Sequence, residues 1–348
     1  MKHQILGFTC AYAPVPIIEA AGFQAFRVLP QGECPDQAGQ LLHDNLCPHV
    51  KRVLDRALAN DLPGLAGMVF VNSCDAMRRV ADAWRVARPH DKVMVLDLPS
   101  TNSPSSLAFL AGEYERMAKT LFTWNNLPFS RERVRARIKV WNALARTLAF
   151  LGTKMGEAFY PGLAAAIQTV VNTASTDSVD AALAMANAIV SNGWSAARGH
   201  APVALFGNLL FDPKLFDLFE AWHMHVTSLD FCTGSRFVSP VDLSLTADPF
   251  EALARSHMTG PPCARTMDTT RPGAIAQKIV ERAEASNARA VMGFTVKFCD
   301  PYLARIPGIR EALQGAGLPF LMLEGDCTLG TMGQQQTRIE AFTEMLGV

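Results

Sequence analysis

Short apolar runs alternate with helical-period stretches along this chain, twice over, and that alternation limits the fold more than any other feature. The first series reads as strand 5–10, helix 16–22, strand 26–29, helix 47–59, strand 68–72, helix 76–86 and strand 93–97. The second reads as strand 203–207, helix 214–224, strand 226–231, helix 273–286, strand 290–294, helix 306–315, strand 319–323 and helix 334–346. Strands separated by helices pair in parallel, because a parallel return needs a long crossover. Between the series, from Ser105 to about Gly193, the period is helical throughout. Leu107, Leu110, Tyr114 and Met117 recur at three and four, and 131–151 reads as one long helix. The expected fold class is therefore α/β, with two parallel-sheet lobes (1–104 and 199–348) joined by a helical segment (105–198). A chain of 348 residues is long enough for two such cores.

Composition narrows the partners. Hydrophobic residues make up 49% and charged residues 18%, with 32 basic against 32 acidic side chains, so no overall field favours nucleic acid or an anionic membrane. The N-terminus runs straight into a strand pattern without the ordered regions of a secretory signal, and the expected location is the cytoplasm. The most apolar stretch, 158–174, contains Pro161, Gln168 and Asn172, which suits a buried helix better than a bilayer span.

Eight cysteines are many for a reducing compartment. Cys74, Cys232, Cys299 and Cys327 each follow a predicted strand, where the crevice of an open α/β sheet binds ligands. Two stretches echo each other across the halves: Phe70-Val71-Asn72-Ser73-Cys74-Asp75 and Thr295-Val296-Lys297-Phe298-Cys299-Asp300. In each, the aspartate suits a helix N-cap. Converging thiolates suit zinc or an iron–sulfur cluster, and a thiol nucleophile is a further option. Spacing alone does not choose among them, since no Cys-x-x-Cys pair is present. The histidines form no ligand pair at helical spacing.

The motifs then carry a resemblance. Thr9-Cys10-Ala11-Tyr12-Ala13-Pro14, Asn45-Leu46-Cys47-Pro48-His49, Ser73-Cys74-Asp75-Ala76-Met77-Arg78-Arg79, Cys232-Thr233-Gly234-Ser235-Arg236, Phe298-Cys299-Asp300-Pro301 and Thr337-Arg338-Ile339-Glu340-Ala341-Phe342 follow one another in this order. So ordered, the chain resembles the 2-hydroxyacyl-CoA dehydratase family, whose relatives include benzoyl-CoA reductase subunits and double-cubane-cluster reductases. The resemblance implies Rossmann-like lobes with a [4Fe–4S] cluster in the cleft between them, held by Cys47, Cys74 and Cys299. It implies a low-potential electron delivered to an acyl-CoA thioester, from which the hydroxyl leaves. It also implies a homologous partner subunit in a homo- or heterodimer and a separate ATP-hydrolysing iron–sulfur activator. No phosphate-binding Gly-x-x-x-x-Gly-Lys loop occurs in this chain.

Cys10, Cys34, Cys232, Cys263 and Cys327 exceed that set, and Cys327 stands where an aromatic residue is more usual. They keep open a double-cubane [8Fe–9S] cluster, which needs about six thiolates, with Cys10 and Cys327 as first additions. The alternatives are thus an aromatic acyl-CoA or double-cubane reductase, or a non-catalytic metal-binding or electron-transfer partner subunit. Three other positions are weighed. Glu19, read as lying near a helix start, suits the helix dipole or a proton-transfer role as a catalytic candidate. Arg236 suits a CoA phosphate in substrate binding, or a buried acid. Arg338 and Glu340 suit ion pairs on the last helix.

Overall fold

The computed structural model describes residues 3–31, 34–268, 270–326 and 335–347. Two four-stranded sheets form, parallel throughout. The first holds β1 (Gln4–Phe8), β2 (Phe23–Arg27), β3 (Leu65–Asn72) and β4 (Val93–Asp97) in the order β2-β1-β3-β4. The second holds β5 (Ala201–Gly207), β6 (Met224–Asp230), β7 (Ala290–Val296) and β8 (Phe320–Gly325) in the order β6-β5-β7-β8. The two orders correspond strand for strand, so the duplication seen in the sequence is a duplication of topology. In both sheets the chain reverses direction between the first and third strands, and the crevice opens at their carboxyl ends.

The crossovers follow the predicted pattern with shifts of a few residues. In the first lobe they are α1 (Val15–Ala20), α2 (Pro48–Leu58) and α3 (Asp75–Ala87). Strand β2 begins three residues before the predicted 26–29. The helical segment is α4 (Pro104–Trp124), α5 (Arg131–Glu157), α6 (Leu163–Thr176) and α7 (Val179–Ser191). Ser103, Ser130 and Ser178 each cap one of these helices by accepting an amide N–H three residues on. Gly162, at φ +76°, breaks the apolar 158–174 stretch so that α6 starts after it. No described helix is long and apolar enough to cross a membrane.

The second lobe carries α8 (Lys214–Ala221), α9 (Pro249–Thr259), α10 (Ala274–Ala285), α11 (Asp300–Leu303), α12 (Ile306–Gly315) and α13 (Gln336–Met345). Helix α9 was not anticipated, although Asp248-Pro249 is a cap and first-turn signal, and the Asp248 carboxylate accepts the Phe250 amide. It packs on α4 rather than on its own sheet: Phe250, Leu253 and Met258 share a core with Leu110, Tyr114 and Met117. The loop after β6 crosses the same way. Phe237 stacks on Phe8 at 6.0 Å and meets Trp141 edge-on at 5.4 Å. The Trp141 indole donates to the Ser239 carbonyl at 2.9 Å. The segment after β6 therefore ties the second lobe to the first.

Candidate metal centre

Cys47, Cys74 and Cys299 each occupy the position immediately before a helix: α2, α3 and α11 respectively. Asp75 and Asp300 are consequently the first helical residues and not the caps. Asp75 pairs instead with Arg78 at 3.1 Å and Arg79 at 3.4 Å on the solvent side. The backbone before Cys299 turns sharply, with Phe298 at φ +58°, a region a bulky side chain seldom adopts.

Two lobes contribute to one apolar cluster around these thiols. Cys47 lies among Val50, Met77 and Phe70 of the first lobe with Leu209, Phe211 and Val296 of the second, and Cys74, Cys232 and Cys299 pack against it. Burial raises the Cys47 thiol to about 12, and negative charge on Cys74 and Cys299 would raise it further, while the His49 and Val50 amides oppose. Cys74 is pushed up to about 11 by burial and by Cys299 and Cys263, against the Met77 and Ala76 amides. Burial raises Cys299 as well. The three thiols thus lie within electrostatic range of one another, each opposite helix amide groups, and lose their protons together only against a compensating positive charge.

A second group of thiols adjoins the first. Cys10, Cys232 and Cys263 line a cavity of about 30 Å³ with Tyr12, Arg236 and His257. Burial pushes Cys263 up to about 11 and also raises Cys10. Cys34 stays apart; its carbonyl accepts from Arg52. All seven described cysteines are free, and Cys327 lies outside the described residues. Among the described residues no three His, Cys, Asp or Glu side chains close on a single point as one metal ion requires. Cys10, Cys232 and Cys263 share a small cavity while Cys47, Cys74 and Cys299 share an apolar cluster, a spread that suits separate corners of a larger group rather than one ion.

Buried polar atoms close in sequence to these cysteines lack partners among the described residues. Thr9 Oγ1, His49 Nδ1 and Arg236 Nε are buried without a hydrogen bond. His49 is held neutral, pushed down to about 3 by burial and by the Arg27 charge. Buried donors and acceptors are normally satisfied, so orphans gathered beside six thiols fit a site built to hold a group. From the sequence His49 reads as a surface or loop residue, whereas it is buried in the first turn of α2; Arg27 was not singled out. The legible sign was Arg27 itself, a charge inside the apolar run Phe26-Arg27-Val28-Leu29.

The remaining candidates are placed as follows. Glu19 lies in the last turn of α1, not near its start. Its carboxylate accepts from Arg137 Nε at 2.9 Å and Nη2 at 2.6 Å, and from the Val179 amide at 2.9 Å. It therefore caps α7 and joins α1 to α5. Arg236 donates to Asp230 at 3.0 Å and to the Gly207 carbonyl, inside the fold. Arg338 donates to the Met322 carbonyl at 3.0 Å, and Glu340 accepts from Gln336 at 2.6 Å, so these two do not pair with each other.

A family profile, that of the 2-hydroxyglutaryl-CoA dehydratase D-component, matches residues 10–346. The chain is 22% identical to the lactoyl-CoA dehydratase subunit beta of Anaerotignum propionicum, over 98% of this chain and 91% of that one. It is 21% identical to the (R)-phenyllactyl-CoA dehydratase beta subunit of Clostridium sporogenes, over 99% and 94%. It is also 23% identical to the putative dehydratase subunit YjiM of Escherichia coli (strain K12), over 98% and 91%. With the match running through both lobes and all six gathered cysteines, the chain belongs to the 2-hydroxyglutaryl-CoA dehydratase D-component family.

Proposed function

We propose that this chain is an iron–sulfur subunit of a 2-hydroxyacyl-CoA dehydratase-like enzyme, with Cys47, Cys74 and Cys299 as ligands of a [4Fe–4S] cluster. The carrying observation is the arrangement of these thiols. Three helix-entry cysteines from two lobes gather in one apolar cluster, with the unpartnered His49 ring nitrogen two residues after Cys47. A cluster held by three thiolates supplies low-potential single-electron transfer and keeps one iron open to an exogenous ligand. The chain's own contribution is to bind and to exclude water. Val296, Leu209 and Phe211 shield the Cys47 side, and first-turn amides of each helix face the sulfurs and favour their negative charge.

The names of the relatives support a coenzyme A thioester as substrate and a second, related subunit as partner. A cavity of about 500 Å³ suits the acyl arm. Leu148, Gly152, Val171 and Leu229 form apolar walls, and Ser235 and Arg282 stand at a polar side. It shares Ser239 and Pro261 with the thiol-lined cavity. A separate ATP-hydrolysing protein would supply the electron.

A second reading is favoured by one observation, the gathering of Cys10, Cys232 and Cys263 beside the first three thiols. Six thiols suit a double-cubane [8Fe–9S] cluster and hence a reductase. Anaerobic reconstitution followed by iron and acid-labile sulfide analysis separates the readings, with about four irons per chain for one cube and about eight for two. A colourless protein without iron or sulfide would sink both.

A further inference from the structure

Three arginines are almost wholly buried: Arg27, Arg56 and Arg236. Two have carboxylates, Asp61 for Arg56 at 2.9 Å and Asp230 for Arg236 at 3.0 Å. Arg27, only 1% exposed, has none among the described residues. Its Nε donates to the Thr9 carbonyl at 3.2 Å, its Nη1 to the Cys232 carbonyl and its Nη2 to the Cys232 sulfur at 3.4 Å. The guanidinium lies 5.3 Å from the centre of the Phe237 ring. Carbonyls, a sulfur and an aromatic face orient the cation without neutralising it. An uncompensated buried charge is strongly destabilising, so the fold retains here a charge that an anion must complete.

The position of Arg27 says which anion. It closes β2 in the first lobe and reaches across to Cys232 in the second. Cys232 lines the cavity of Cys10 and Cys263 and also packs against the cluster of Cys47, Cys74 and Cys299, so Arg27 stands where the two groups of thiols meet and a thiolate-ligated cluster would bring net negative charge.

We propose that Arg27 is a positioning residue of the metal centre: the fixed countercharge of the cleft, hydrogen-bonded to the Cys232 sulfur, which raises the reduction potential of the cluster bound there. The inference rests on the proposed function. A positive charge and a hydrogen bond to a nearby sulfur both favour the reduced, more negative form. Arginine suits the task because its rigid fork serves two acceptors on Cys232 while keeping its charge under all conditions.

The test uses the full chain, reconstituted anaerobically as wild type, Arg27→Lys, Arg27→Met and Arg56→Met, with circular dichroism to confirm folding. Iron and sulfide are counted, and the midpoint potential is read by a redox titration followed by electron paramagnetic resonance. Folded Arg27→Met is expected to shift to a more negative potential or to lose most of its iron. Arg27→Lys, which keeps the charge without the fork, is expected to fall between it and wild type. Arg56→Met removes a buried arginine whose partners, Asp61 and the Leu29 carbonyl, include no thiol, and is expected to lower Tm and leave the potential in place. Wild-type potential and iron content in both Arg27 variants would overturn the proposal. If Arg27→Met does not fold, an unmoved potential in Arg27→Lys overturns it alone. Absence of iron from the wild type is a different failure, that of the underlying function.

Discussion

Arg236 and Asp230 form an ion pair at 3.0 Å inside the second lobe, and Arg282 approaches the same carboxylate oxygen at 3.5 Å. One acid thus serves two guanidiniums at the end of β6. Arg236 also donates to the Gly207 carbonyl, so it braces the carboxyl ends of β5 and β6 next to the thiol cavity. Of its two sequence-based roles, the structure shows the buried acid as its partner.

Asp230→Asn keeps the shape of this junction and removes the carboxylate that pairs with both guanidiniums. Arg236 is then left buried and unneutralised beside Arg282, and the expected loss of stability is about 3–5 kcal/mol. Urea unfolding would show it as a lower midpoint at unchanged slope. A loss below about 1 kcal/mol, the range of exposed pairs, would mean the acid is dispensable.

Removing any one of Cys47, Cys74 and Cys299 as alanine is expected to cost most of the iron and the visible absorbance of the reconstituted protein. Cys34→Ser, away from the gathered thiols, should load iron as the wild type does. Equal loading across all four variants would refute the ligand assignment.

Gly207 closes β5 opposite Phe294 of β7. A Cβ there would lie 1.8 Å from the Phe294 carbonyl oxygen and 2.6 Å from the Phe231 ring. Neither backbone can yield without breaking the pairing of Gly207 with Phe294. Gly207→Ala is expected to destabilise by about 3 kcal/mol, at the upper end of overpacking costs, or to prevent folding. Full stability by thermal denaturation would contradict the geometry.

Glu19→Gln keeps an acceptor for the Val179 amide but leaves Arg137 only the Asp180 carboxylate, at 2.5 Å. Burial raises the Glu19 carboxyl, with the Val179 amide and Arg137 opposing it. The expected cost is about 2 kcal/mol, in the range of hydrogen bonds to charged groups, with iron content unchanged. Turnover lost at full stability would restore the catalytic reading of this residue.

Acid should destabilise the fold through His257. Its ring packs against Tyr12 and Tyr114, and desolvation pushes it down to about 4. Its Nδ1 hydrogen-bonds the Tyr114 hydroxyl, which donates to the Tyr12 carbonyl at 3.2 Å. The unfolded chain binds this proton from about pH 6.5 downward, the folded chain only near pH 4. Stability attached to the neutral ring is therefore complete above pH 6.5 and falls as pH drops toward 4, by about 3 kcal/mol for this group. Unfolding free energies measured between pH 7 and 4 check the slope, which His257→Phe should flatten.

Much of the framework was legible because it is local. The span 93–97 appeared as β4 and 306–315 as α12 without adjustment, since an apolar run and a helical period are written in consecutive residues. Helix α9 escaped because its apolar face reads clearly only against α4, which it covers. Asp75 and Asp300 were misread as caps because a cap is set by backbone angles, not by residue type alone. In each case it is the preceding cysteine that stands at the boundary.

By itself, the sequence determined the parallel lobes, the helical segment between them and the placing of Cys74 and Cys299 just beyond strands. These depend on periodicity and on the order of elements along one chain. Only the tertiary structure decided that Cys10, Cys232 and Cys263 share one cavity, that Glu19 caps α7, and that Arg27 is buried without an acid. Arg27 and Cys232 are 205 positions apart, one at the end of β2 in the first sheet and the other just after β6 of the second. Contact between them depends on how the carboxyl ends of two lobes face each other, and no local pattern encodes that orientation.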